Sequence, residues 1–228
     1  MNTSLIPSFK ESIFSNVADI AIDLSEVGID SCLESGIIKD IPFVNVFYKL
    51  GNIAVSIRER HFLQKTLVFI QEINDGKVSN EDREQHKKRL ESDPQKMEKE
   101  LGYILVSIDR HLQNIKSKIL ARFYAAYLDS SNKYDWVDFC ILSEILDEVS
   151  IYDFDALFYI YKNGQVNMCN GIEGISFFQI SRLEKCGIIH EDTLTRNNGS
   201  YVKCFSLSPQ GKIFCELCKI EDFIGTRE

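Results

Sequence analysis

The sequence predicts a mainly α-helical chain, with a helical N-terminal domain and a smaller C-terminal domain in which helices flank a β-hairpin. Three observations carry this. Only Pro7, Pro42, Pro94 and Pro209 interrupt 228 residues. Apolar residues recur at spacings of three and four through the first two-thirds. Near residue 150 that pattern gives way to short helices, an Asn-Gly reversal and a stretch of strict alternation.

Pro7 suits the first turn of a helix running to about Leu24. From Pro42 the stretch FVNVFYKLGNIAVSIRERHFLQKTLVFIQEI reads as one helix of about 30 residues at helical periodicity. In its first half Asn45, Lys49, Asn52, Ser56 and Glu59 form a narrow polar stripe on an otherwise apolar cylinder. Such a helix is either wrapped by neighbours in a bundle or able to enter a bilayer with its stripe shielded. In the second case Arg58, Arg60, His61 and Lys65 would lie at the headgroups.

Residues 75 to 93 are crowded with charge and nearly free of aliphatics, which reads as a solvated helix or as a linker. Asp93-Pro94 is an N-cap followed by a first-turn proline. It opens a helix that turns Leu101, Ile104, Leu105, Ile108 and Leu112 inward, and the periodicity continues to about Leu128. After the turn SSNKYD, Asp135 to Val149 makes another helix with Phe139, Leu142, Ile145 and Leu146 inward. The all-helical domain therefore covers residues 1–149.

Ser150 and Asp153 form a capping pair for a helix ending at Asn163-Gly164, and a second helix, Ser176 to Cys186, stops at Gly187. Ile188 and Ile189 begin a strand, Asn197-Asn198-Gly199 reverses it, and Tyr201, Lys203, Phe205 and Leu207 alternate on the return. Ser208-Pro209 starts the last helix. The order helix, RLEKCGIIHED, Asn-Gly reversal, YVKCFSLSPQGKIFCEL resembles the winged-helix domains of bacterial regulators, in which a Leu-(Ser/Thr)-Pro-x-Gly step follows the wing. That resemblance covers about residues 151 to 220 of a winged-helix-like domain, 150–228. The helical remainder, without a discrete motif, is similar to uncharacterised proteins of bacterial prophages and phage-defence loci.

The resemblance implies a macromolecular contact through the helix before the wing. If the contact is DNA, Gln179, Ser181, Arg182 and Lys185 face a groove, with Arg196 and Lys203 near the wing. Against DNA stands charge: the chain carries −8, and residues 151 to 228 hold eight Lys and Arg against ten Asp and Glu, a net of −2. Winged helices also dock proteins and form dimers, so a protein partner or a homo-oligomer is the expected ligand.

Chemistry is sparse. Seven cysteines, an odd number, and an N-terminus without a basic-then-apolar leader point to free thiols in a reducing cytoplasm. Cys215 and Cys218 have zinc half-site spacing, but they fall inside the last helix beside Phe214 and Leu217 and read as small core hydrophobes. His61, His86, His111 and His190 are scattered singly. Asp129 to Asp138 faintly resembles a calcium loop with a lysine at a ligand position and no central glycine. Phosphate-binding glycine loops and hydrolase motifs are absent from the sequence. The expectation is a cytoplasmic, non-enzymatic interaction or regulatory protein with no cofactor and no metal. The alternatives are a DNA-binding transcriptional regulator and a membrane-disrupting effector inserting residues 42–57.

Overall fold

Ser56 begins a helix rather than lying inside one. Its hydroxyl accepts from Glu59 N at 3.3 Å, while its own amide donates to Glu59 Oε2 at 2.8 Å, a reciprocal capping box. The single helix expected from Pro42 is therefore two, α3 (Pro42–Lys49) and α4 (Ile57–Asp75). Ser56 and Glu59 are a cap and not part of a stripe. The computed structural model describes residues 5–14, 29–36, 38–49, 56–75, 78–167, 174–195 and 201–225. Asn52 and the proposed extension of the first helix to Leu24 lie outside them.

The described chain is mainly helical with one small antiparallel sheet, and it divides into two compact units, residues 1–139 and 140–228. The division falls within a helix, ten residues before the expected boundary at 149/150.

The first unit begins with α1 (Leu5–Phe14) and α2 (Ile29–Ser35) and then α3 and α4. In α3, Phe43 and Val44 are fully buried and Asn45 is half-buried. Phe43 packs edge-on against Phe9 of α1 at 5.6 Å, and its amide donates to Ser12 Oγ at 3.0 Å. One side chain thus serves an orphan amide of the first turn of α3. The basic group that would have met lipid headgroups is engaged internally: Arg58 pairs with Asp109 and Arg60 with both oxygens of Asp30. Buried Lys65 donates to the carbonyls of Asp109 and His111.

Those carbonyls end α6 (Pro94–Arg110), so Lys65 supplies cationic donors where helix carbonyls are unmet. Asp93 Oδ1 accepts from Lys96 N at 3.0 Å, the expected N-cap. The helix stops at Arg110, and α7 (Asn114–Leu128) is a separate helix. Leu112, expected in the core, sits between them and is 87% exposed. The charged stretch forms α5 (Asn80–Ser92), whose Arg83, His86 and Leu90 are buried. Arg83 donates to Asn74 Oδ1 at 2.7 Å and to the carbonyl of Ile73, tying α5 to the end of α4.

The next helix, α8 (Trp136–Glu148), starts in the first unit and runs into the second. A 3₁₀ turn at Ile151–Asp153 follows, capped by Ser150, and leads into α9 (Phe154–Asn163), which ends at Gly164 with φ 79°. Sequence alternation did not show β1 (Gln165–Asn167), an outer strand of a sheet ordered β1-β3-β2. Then come α10 (Phe177–Lys185), β2 (Ile189–Thr195), β3 (Tyr201–Leu207) and α11 (Pro209–Cys218). All pairing is antiparallel, with Ile189 opposite Leu207 and Val166 opposite Phe205. The reversal at residues 197–199 lies outside the described residues.

Candidate functional site

The end of α10 shows why its motif residues are what they are. Gly187, at φ 75°, donates to Glu184 O, and Ile188 N donates to Leu183 O at 3.2 Å, the paired bonds of a Schellman cap. Leu183 and Ile188 are both fully buried. The carbonyl of Ile188 then receives Ser208 N at 2.9 Å, and Ser208 Oγ donates to Gly187 O at 2.7 Å while accepting from Gly211 N at 2.9 Å. A Cβ on Gly211 would stand 2.0 Å from that same Ile188 oxygen. The Leu-Ser-Pro-x-Gly step is therefore a lock that seats the start of α11 on the end of α10. Only a residue without a side chain fits at Gly211, in the first turn of α11.

At the other end of α10, Ser176 and Gln179 form a capping box. Gln179 Oε1 accepts from Ser176 N at 2.9 Å, and Gln179 Nε2 donates to the carbonyl of Tyr152 at 3.0 Å. Arg182 forks onto Asp153, with Nε to Oδ2 at 2.8 Å and Nη2 to Oδ1, and Asp153 is 1% exposed. The hydrogen bonds to Asp153 raise the already high guanidinium pKa. The face of Arg182 lies over the Phe178 ring at 4.4 Å.

Of the residues expected to face a groove, Gln179 and Arg182 are thus bonded within the unit. Lys203 is held by Glu191 across the hairpin at 2.8 Å. Ser181 is half-buried, Lys185 is exposed, and Arg196 lies outside the described residues. What α10 does present is apolar: Phe177 and Phe178 are 65% and 66% exposed, and Tyr152, whose carbonyl accepts from Gln179, is exposed as well. The sequence expectation for this helix named only its polar residues, Gln179, Ser181, Arg182 and Lys185, and assigned the two phenylalanines no surface.

Cys215 and Cys218 are fully buried, and burial pushes the Cys215 thiol up to about 12. Among the described residues no group of three or more His, Cys, Asp and Glu side chains could hold a metal. Two clefts open on the first unit, of about 410 and 320 Å³, and their rims carry the ion pairs Arg58–Asp109 and Arg60–Asp30. On the open face of the hairpin, Ser206 Oγ reaches His190 Nε2 at 3.2 Å and also donates to Asp192. Asp192 meets the same imidazole nitrogen, at 3.4 Å, so the trio is not ordered as a nucleophile, base and orienting acid.

Among the described residues no helix is long and apolar enough to cross a membrane. Comparison with known proteins found no matching family, no matching curated protein and no matching solved structure.

Proposed function

We propose that the chain is a non-enzymatic interaction protein, and that residues 150–228 are a winged-helix module that contacts another protein through the start of α10. One observation carries the reading: Phe177 and Phe178 face solvent where a DNA reader would offer donors, while Arg182 is spent on buried Asp153. Exposed aromatic side chains bring large contact area at low entropic cost and are enriched in protein interfaces. The net charge of −2 over residues 151 to 228 supports the same side, since phosphate neutralisation dominates DNA affinity.

The partner is a second copy of the chain or a different protein with an apolar pocket for two adjacent rings. A transcriptional regulator would retain Ser181, Lys185 and Arg196 as contacts, too few to hold a duplex at physiological salt. Against a membrane-disrupting effector stand the full burial of Phe43 and Val44 and the internal pairing of Arg58, Arg60 and Lys65. Fluorescence anisotropy with a random duplex pool at low salt separates the first two readings: the protein-contact reading expects no binding that Lys185→Ala reduces.

A further inference from the structure

The cleft of about 410 Å³ in the first unit is built from three helices of the bundle. Its walls are apolar, with Leu5 from α1, Phe62 from α4, and Leu105 and Val106 from α6. Leu105 is fully buried and Phe62 is seated edge-on against Phe43 at 6.2 Å, while Val106 is 40% exposed, so the walls are fixed and still open to solvent. Two bonds tie α4 to α6 beside it: Arg58 Nη2 donates to Asp109 Oδ2, and Lys65 Nζ donates to the Asp109 carbonyl at 3.1 Å. The cavity is therefore preformed, and its size falls within the roughly 300 to 1,000 Å³ of small-molecule sites.

The rim carries both signs, with the guanidiniums of Arg58 and Arg110 balanced by the carboxylates of Glu59 and Asp109. The Arg58–Asp109 pair is only half used. Among the described residues the guanidinium donates from Nη2 alone and the carboxylate accepts at Oδ2 alone, which leaves Arg58 Nε and Nη1 as donors and Asp109 Oδ1 as an acceptor. The Arg58 side chain is 82% exposed, so those donors are within reach of a ligand. Hydrogen bonds from Ser56 hold the Glu59 carboxyl below its ordinary range, making it a second charged acceptor.

Charge decides between ligand classes. An apolar anion would meet Glu59 and Asp109 as well as the guanidiniums, and an apolar cation would meet the guanidiniums as well as the acids. An uncharged ligand would cover open donors and acceptors without replacing their water. A zwitterion adds no net charge, and one that bears its ammonium and carboxylate on a single carbon matches a rim where donor and acceptor already stand side by side. We propose that the cleft binds a free α-amino acid with an apolar or aromatic side chain. Its carboxylate rests on Arg58, its ammonium lies between Asp109 and Glu59, and its side chain packs on Phe62, Leu105 and Val106. A peptide terminus bears only one of the two charges and fits less well. The site uses the first unit alone, so it stands or falls separately from the contact made by α10.

Calorimetric titration of the full chain with L-phenylalanine and L-leucine tests this, with methyl spectra locating the site at Leu105 and Val106. Saturable binding is expected. N-acetyl-phenylalanine lacks the ammonium and phenylalanine amide lacks the carboxylate, so each should bind at least about tenfold more weakly. Val106→Trp, at a position open to solvent, fills the cavity and should abolish binding. Arg58→Ala, on a side chain that faces solvent, should keep the fold and weaken phenylalanine by about tenfold while leaving the amide, which has no carboxylate, nearly unaffected. No saturable binding of either amino acid, equal binding of phenylalanine and its two blocked forms, or affinity unchanged in folded Val106→Trp or in Arg58→Ala would overturn the proposal.

Discussion

Arg182 of α10 and Asp153 of the turn before α9 form a forked ion pair in which the carboxylate is buried and the guanidinium also covers the Phe178 ring. The residues stand 29 apart in sequence, and their pairing fixes the helix before the hairpin against the 3₁₀ turn that leads into α9. Removing the cation leaves a buried carboxylate with lost donors. Arg182→Ala should therefore destabilise the protein by about 3 kcal/mol in urea unfolding, with partial solvation of the guanidinium limiting the effect. Arg182→Lys restores charge without the fork and should recover only part. A loss below about 0.5 kcal/mol, as for an ordinary surface residue, would free Arg182 for a ligand.

Gly211 sits where a Cβ would meet the Ile188 carbonyl at 2.0 Å, and that carbonyl is already fixed by Ser208 N. Gly211→Ala should displace α11 and cost about 3 kcal/mol. Ser208→Ala keeps the space but removes the hydroxyl that caps α11 and reaches Gly187, for a loss of about 1 to 2 kcal/mol. Thermal unfolding of the two variants checks the order. Equal, small effects would mean that the step is a mere turn.

Burial raises the Cys215 thiol from 9.0 to about 12 and the Tyr127 phenol from 10.0 to about 12. Each is a folded-state value above the unfolded one, so the associated stability is complete below about pH 9. It is lost progressively as pH climbs towards 12, because the unfolded chain ionises first. Stability read from denaturant unfolding should hold below pH 9 and fall above it, by an amount on the order of 4 kcal/mol from Cys215, with a smaller share from the partly exposed Tyr127. Cys215 and Cys218 should resist alkylation in the native protein at pH 8 and react once it is unfolded. Rapid native alkylation at either would contradict their place in the core.

Capping chemistry made much of the fold readable. Asp93-Pro94, Gly187 and Ser208-Pro209 each mark a boundary that the structure places within a residue or two, whereas Gln179, expected at a groove, closes a capping box with Ser176. The same rule, applied at Ser56 and Glu59, would have split the long helix. There the polar pair was absorbed into an apparent stripe because three- and four-residue spacing looks alike for a cap and for a face. Leu112 kept the period while His111 left the helix, since periodicity does not register a break of a few residues that happens to preserve phase. Three residues of β1 are too few to show alternation. The Arg182–Asp153 and His86–Glu100 pairs lie outside any local pattern, because only tertiary packing brings their elements together.

Phe177 and Phe178 being exposed, their joint replacement by Ser should cost no more than about 1 kcal/mol, the share of the Arg182–Phe178 stacking, so a loss of contact would not be a loss of structure. Circular dichroism and urea midpoints check this. A large destabilisation would return the two rings to the core.

The proposed function requires that the start of α10 touch protein and not nucleic acid. A photo-reactive phenylalanine analogue at position 177, illuminated in cells, tests it most directly. The predicted result is a discrete adduct that survives nuclease, disappears with protease, and is lost when Phe178→Ser is added. An adduct removed by nuclease and weakened by Lys185→Ala would contradict it and make the module a DNA reader.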